Sequence, residues 1–100
     1  MRKSVPLGIA SFEAPETIGV FKVYYGPHLV YVGKAFDGLR EHFLHYYTGS
    51  RYDNADDVDR IFENRTNIRV QWIECSTVDE CEHLYEELTK ELNPYWNLAH

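Results

Sequence analysis

Residues 19–34 read Gly-Val-Phe-Lys-Val-Tyr-Tyr-Gly-Pro-His-Leu-Val-Tyr-Val-Gly-Lys, and this run constrains the fold more than any other part of the chain. Phe21, Val23 and Tyr25 alternate with Val20, Lys22 and Tyr24. Leu29, Tyr31 and Gly33 then alternate with Val30, Val32 and Lys34. β-Branched and aromatic side chains at period two suit a pleated, half-buried surface. Between the two runs, Gly26 permits positive φ and Pro27 presets its own φ, which is turn chemistry. The stretch predicts a β-hairpin.

The remaining elements follow from spacing. Asp37 stands where a helix N-cap is expected, and Leu39, Phe43, Tyr46 and Tyr47 recur at helical intervals up to Gly49, a residue suited to a left-handed cap. His42 and His45 lie three apart on that helix; with no third ligand evident, a solvated or hydrogen-bonded pair is the preferred reading over a metal site. Residues 53–65 predict a second, shorter helix with Asn54 as cap and Val58, Ile61 and Phe62 as its buried stripe. Residues 67–75 alternate as a strand, with Ile68, Val70 and Trp72 on one face. Thr77 and Glu80 fit a capping box, followed by Cys81, Leu84, Tyr85, Leu88 and Leu92 as a core stripe, and Pro94 ends that helix. Residues 1–18, broken by Pro6, Gly8 and Pro15, read as an N-terminal extension, with Leu7, Ile9 and Phe12 available for an edge strand or a packed arm. The predicted architecture is therefore α/β: a small three-stranded sheet flanked by helices, ordered β-β-α-α-β-α, in one domain over residues 19–100.

Composition narrows the function classes. The 100 residues carry a formal net charge of −6, which opposes casual nucleic-acid binding. The charge is uneven: residues 19–51 hold four bases and two acids, whereas residues 52–100 hold four bases and twelve acids. Phosphate neutralisation needs Lys and Arg, so any nucleic-acid site is weak or narrowly focused. The acidic part can meet a basic protein or simply keep the domain in solution. No apolar run approaches the roughly 18 residues of a membrane span, and the short apolar stretch near Met1 is followed by Glu13 and Glu16, unlike a signal peptide. Cys75 and Cys81 have no CxxC spacing and read as buried thiols of a reducing compartment, which places the chain in the cytoplasm.

Gly19-Val20-Phe21 followed by Tyr31-Val32-Gly33-Lys34, then a helix opening near Asp37 and Asn93-Pro94-Tyr95-Trp96-Asn97 near the chain end, resembles the ordered signatures of the GIY-YIG nuclease family. The resemblance covers about residues 19–97. It implies an α/β fold and a metal-dependent phosphodiesterase site with these parts: a Tyr in GIY that helps activate water, a second Tyr in YIG, a helical Arg on the phosphate, a Glu holding one divalent metal, and a supporting Asn.

Carried across residue by residue, the first Tyr falls on Phe21, which has no hydroxyl. Tyr31, Lys34 and Asn97 match. The Arg falls on His42, or on Glu41 in the neighbouring register; Arg40 fits neither, lying about 200° around the helix from His42. The Glu falls on Tyr85. Replacements exist: Tyr24 or Tyr25 for the hydroxyl, protonated His42 for the Arg, and Glu82, one turn before Tyr85, for the metal ligand. A histidine carries full charge only below about pH 6.5. The sequence thus implies a GIY-YIG-like domain with a degenerate site, in which Phe21, Tyr31 and Tyr85 replace water and metal by aromatic packing. Its expected role is to bind nucleic acid through Lys22, Lys34, Arg40 and tyrosines, or to bind a protein partner, with little or no cleavage and no cofactor. The alternative is an active, divergent endonuclease using Tyr31, His42 and Glu82 with Mg²⁺ or Mn²⁺.

Overall fold

The computed structural model describes residues 4–49 and 56–92. The elements in chain order are β1 (Val5–Pro6), α1 (Leu7–Glu13), β2 (Gly19–Tyr25), β3 (His28–Ala35), α2 (Leu39–Thr48), α3 (Asp56–Glu63), a short 3₁₀ turn (Arg65–Asn67), β4 (Ile68–Glu74) and α4 (Val78–Leu92). The hairpin forms as its alternation and turn residues require, with Gly26 at φ 60°. β2 is central. It pairs antiparallel with β3 on one side and with β4 on the other, placing Phe21 opposite both Gly33 and Trp72.

The sheet has four strands rather than three, in the order β1-β4-β2-β3. The extra strand comes from the N-terminal residues: Val5 pairs with Val70 and Pro6 with Arg69 at the outer edge of β4. The next residues form α1, whose Leu7 and Ala10 are fully buried, as is Ala14 at its C-cap. Ile9 and Phe12 face outward instead. Pro6 and Gly8 obscured this element in the sequence, because a two-residue strand and a seven-residue helix carry too few residues to show periodicity.

Successive side chains of a strand face opposite ways, so the central strand serves two cores. Phe21 and Val23 pack with Val70, Trp72, Leu7, Leu39, Phe43, Tyr46 and Ile61 beneath α1, α2 and α3. Val20 and Val32 pack with Cys75 and Cys81, and with Leu84, Tyr85 and Leu88 of α4, on the other side. Each fully buried large apolar side chain contributes about 1.5–3 kcal/mol. Cys75 and Cys81 are free thiols. Burial and a hydrogen bond with Cys75 push the Cys81 thiol up to about 12, so it stays protonated.

Thr77 caps α4, its Oγ1 accepting from the Glu80 amide at 3.1 Å, while the Glu80 carboxylate accepts from the Ser76 amide at 2.9 Å. Gly49 closes α2 in the left-handed conformation, φ 80°. The start of α2 differs from expectation. Its N-cap is Gly38 and no side chain caps it. The amides of Leu39 and Arg40 donate to the carbonyls of Thr17 and Pro15, at 2.9 and 3.0 Å. Backbone from the N-terminal segment satisfies the orphan donors of the helix, which leaves the Asp37 carboxylate for another partner. The predicted cap Asn54 and the signature residues Pro94 and Asn97 lie outside the described residues.

Arg40 locks this junction. Its Nε donates to the Ala14 carbonyl at 2.8 Å and its Nη1 lies 3.4 Å from the Glu16 carboxylate. Arg40→Ala is expected to cost about 1.5 kcal/mol, the scale of one hydrogen bond to a charged group. Hydrogen exchange checks it: the Leu39 and Arg40 amides should lose protection first, and unchanged protection there would contradict the assignment.

Candidate active site

The hairpin brings Phe21 and Tyr31 to the sheet face that α2 covers, and α2 supplies His42, Phe43 and Tyr46 at successive helical positions. Phe21 is fully buried at the centre. Its ring centroid lies 6.1 Å from that of Tyr31, 5.2 Å from His42, 5.2 Å from Phe43 and 5.8 Å from Tyr46. The Phe43 and Tyr46 rings meet it edge-on, the arrangement the aromatic quadrupole favours. Position 21, which the sequence resemblance aligns with a signature tyrosine, thus holds a packed apolar ring.

His42 is held at both nitrogens. Nδ1 lies 2.9 Å from the Asp37 carboxylate and Nε2 lies 3.2 Å from the Tyr46 hydroxyl. An ionised carboxylate can only accept, so Nδ1 carries the proton and donates to Asp37. On neutral His42, Nε2 then accepts from the Tyr46 hydroxyl. The hydrogen bond from His42, with added positive charge from His42 and His45, holds the Asp37 carboxyl below the usual carboxylate range. His45 Nε2 in turn sits 3.7 Å from the Glu41 carboxylate. Each of the two helical histidines thus lies beside a carboxylate, His42 beside Asp37 and His45 beside Glu41.

The remaining site residues lie on the α4 side of the sheet. Lys34 Nζ is 3.6 Å from the Glu82 carboxylate and 4.6 Å from the centroid of the Tyr85 ring. Tyr85 packs in the α4 cluster rather than with Phe21 and Tyr31. Lys22 is half-buried and faces the same way, opposite Val32 and Gln71, diagonal to Lys34. Arg40 belongs to the junction with the N-terminal segment. The structure therefore groups Phe21, Tyr31 and His42 on one face, and Lys22, Lys34, Glu82 and Tyr85 on the other.

The alternative hydroxyls are engaged elsewhere or remote. Tyr24 donates to Gln71 Oε1 at 3.1 Å, and burial raises its ionisation above the ordinary tyrosine value. Tyr25 is exposed beside the hairpin turn. Among the described residues, no three His, Cys, Asp or Glu side chains converge as metal ligands. The donors around Tyr85 suit a divalent ion poorly, since Tyr85 offers a neutral phenol and the Glu82 carboxylate faces Lys34. Sequence reasoning passed over Asp37 and Tyr46 as functional groups. The i, i+4 spacing of His42 and Tyr46 was the one available signal.

No protein-family model and no curated protein sequence matches the chain. Solved structures do. The GIY-YIG N-terminal endonuclease domain of UvrC from Thermotoga maritima, bound to magnesium, aligns with a TM-score of 0.70 at 23% identity, over 96% of this chain and 98% of that one. A tyrosine-to-phenylalanine point mutant of the same domain, bound to the catalytic divalent cation, aligns at 0.70 and 24% identity, over 96% and 97%. An asparagine-to-alanine point mutant aligns at 0.70 and 23%, over 96% and 97%. At this identity the likeness is one of fold.

Proposed function

We propose that this chain, which has the GIY-YIG-type fold, is a nucleic-acid-binding domain whose nuclease site is degenerate, with little or no cleavage. The observation that carries this reading is Phe21: fully buried and ringed by four aromatic side chains, it has neither a proton to relay nor room for an ordered water. Supporting it, Glu82 faces Lys34 and Tyr85 occupies the position that the family signature gives to a carboxylate. Half-buried Tyr31 offers an aromatic ring beside Phe21, and on the opposite face of the sheet Lys22 and Lys34 lie diagonal to one another and can meet phosphates. Free Cys75 and Cys81 suit a reducing, cytoplasmic setting. No helix among the described residues is long and apolar enough to cross a membrane.

A second reading, a protein-binding domain, is favoured by one feature. Ile9, Phe12, Leu44 and Tyr47 are all exposed and line a groove of about 630 Å³ between α1 and α2. The third reading is a divergent endonuclease in which Tyr31, His42 and Glu82 act with Mg²⁺ or Mn²⁺. Gel retardation of labelled single-stranded DNA, duplex DNA and RNA tests the leading reading. Retarded bands are expected at low salt, fading steeply as salt rises, and weaker in Lys34→Ala. No retardation of any probe at low salt would overturn it and favour the protein-binding reading.

A further inference from the structure

α1 is apolar on both of its faces. Leu7 and Ala10 turn inward and are fully buried, while Ile9 and Phe12, one turn apart, face solvent, Phe12 at 65% exposure. Leu44 and Tyr47 of α2 extend this outer surface, and the four line the groove of about 630 Å³. A helix that is apolar all round belongs in an interior. The groove is also electrically two-ended, because α1 and α2 run antiparallel. At one end the C-terminus of α1 meets the start of α2, where Arg40 Nε donates to the Ala14 carbonyl. Glu13 ends α1, Glu41 lies in the first turn of α2, and Arg40 is matched by Glu16. That end is net acidic. At the other end a Cβ on Gly8 would lie 3.2 Å from Tyr47 Cε1, and one on Gly49 would lie 3.1 Å from Phe62. The Arg65 guanidinium sits there, 4.2 Å from the centroid of the Phe62 ring, beside Thr66 of the groove wall. Arg65 donates to the Phe62 carbonyl at 2.9 Å, and no carboxylate among the described residues pairs with it. That end is basic.

We propose that the occupant of this groove is a second copy of the chain: the two apolar stripes pack together about a two-fold axis, with the acidic end of each groove against the basic end of the other. A two-fold interface is self-complementary, every contact occurring in reciprocal pairs. A patch with opposite charges at its two ends meets that condition, because Glu13 of one copy faces Arg65 of the other, twice. A partner of a single charge sign would be repelled at one end. The main acidic load does not oppose the pairing. It lies on α4, which carries six acids and one lysine and packs on the opposite side of the sheet. The proposal rests on the protein-binding reading of the groove and is independent of the nucleic-acid reading.

Sedimentation equilibrium between about 10 μM and about 1 mM tests it, and the wild type is expected to pass from monomer to dimer in that range. Phe12→Glu, which alters an exposed side chain, is expected to weaken dimerisation at least about ten-fold. Glu13→Arg and Arg65→Glu are each expected to weaken it roughly two- to five-fold. Combined, they restore it, because each new charge again meets its opposite. A second measurement uses no substitution: amide NMR shifts of the wild type that move with concentration are expected on α1, α2 and the 3₁₀ turn. A wild type that stays monomeric at about 1 mM overturns the proposal and leaves the protein-binding reading to a foreign partner. A dimer that Phe12→Glu leaves intact, concentration-dependent shifts confined to α4 or β3, or a folded double charge variant no tighter than either single one also overturns it.

Discussion

Gly19→Ala is expected to destabilise the domain by about 3 kcal/mol, the upper end for overpacking, out of a total of roughly 5–15 kcal/mol for a domain of this kind. A Cβ at position 19 would lie 2.6 Å from the Ile73 carbonyl oxygen and 2.7 Å from Leu39 Cδ1. The first of these is backbone. It belongs to β4, which is fixed against β2 by the pairing of Val20 with Ile73 and Gly19 with Glu74, so it cannot swing aside as a side chain does. Relief requires the two strands to part where the Cys75 amide also donates to the Ile18 carbonyl at 3.0 Å. The other signature glycine is confined differently. A Cβ on Gly33 would fall 2.4 Å from Phe21 Cζ and 2.7 Å from Tyr31 Cε2, and the Phe21 ring is boxed in by its aromatic neighbours. Urea denaturation measures the Gly19→Ala effect as a lower midpoint at unchanged slope. A loss below about 1 kcal/mol would show that the β2–β4 pairing relaxes at this end, contrary to the packing described.

Phe21→Ala is expected to cost about 3–5 kcal/mol, the range for emptying a buried aromatic site. The ring is fully buried and touches both layers of its core, the sheet and α2. Deleting it leaves a cavity walled by Phe43, Tyr46, His42 and Tyr31. These four come from two elements held by separate hydrogen bonds, so they cannot all close inward. The substitution also removes the ring against which His42 packs. Chemical denaturation gives the number, and a loss under about 2 kcal/mol would mean that the cluster collapses and that Phe21 is not its centre.

Where an element is long enough to express its period, the sequence showed it. The hairpin, β4 and α4 followed from alternation, turn chemistry and the i, i+3, i+4 stripe; the faces of β4 are as read, with Ile68, Val70 and Trp72 buried, whereas Leu92, read into the core stripe of α4, is exposed. The N-terminal strand and helix were illegible because they are too short, and because the burial of Leu7, Ala10 and Ala14 depends on a core built by distant residues. Asp37 was misread as a helix cap for a related reason. The chain order does not reveal that carbonyls of residues 15 and 17 reach the helix first. Arg40 looked like a surface cation, and its partners Ala14 and Glu16 precede it by more than twenty residues. At the site, Phe21, Tyr31 and His42 share one face of the sheet, whereas Tyr85, expected to pack with Phe21 and Tyr31, lies with α4 on the other. The hydrogen-bond chain through Tyr46 appears only once a loop residue and two helical residues are placed in space.

The most direct test of the proposal that the site is degenerate is a cleavage assay. The purified protein is incubated with Mg²⁺ or Mn²⁺ and labelled single-stranded DNA, duplex DNA or RNA, beside Tyr31→Phe and Glu82→Ala. The proposed reading expects full-length label in every lane, since Phe21 has no proton to relay and Glu82 faces Lys34. Cleavage by the wild type that both substitutions abolish would contradict this and identify a working nuclease with relocated catalytic groups.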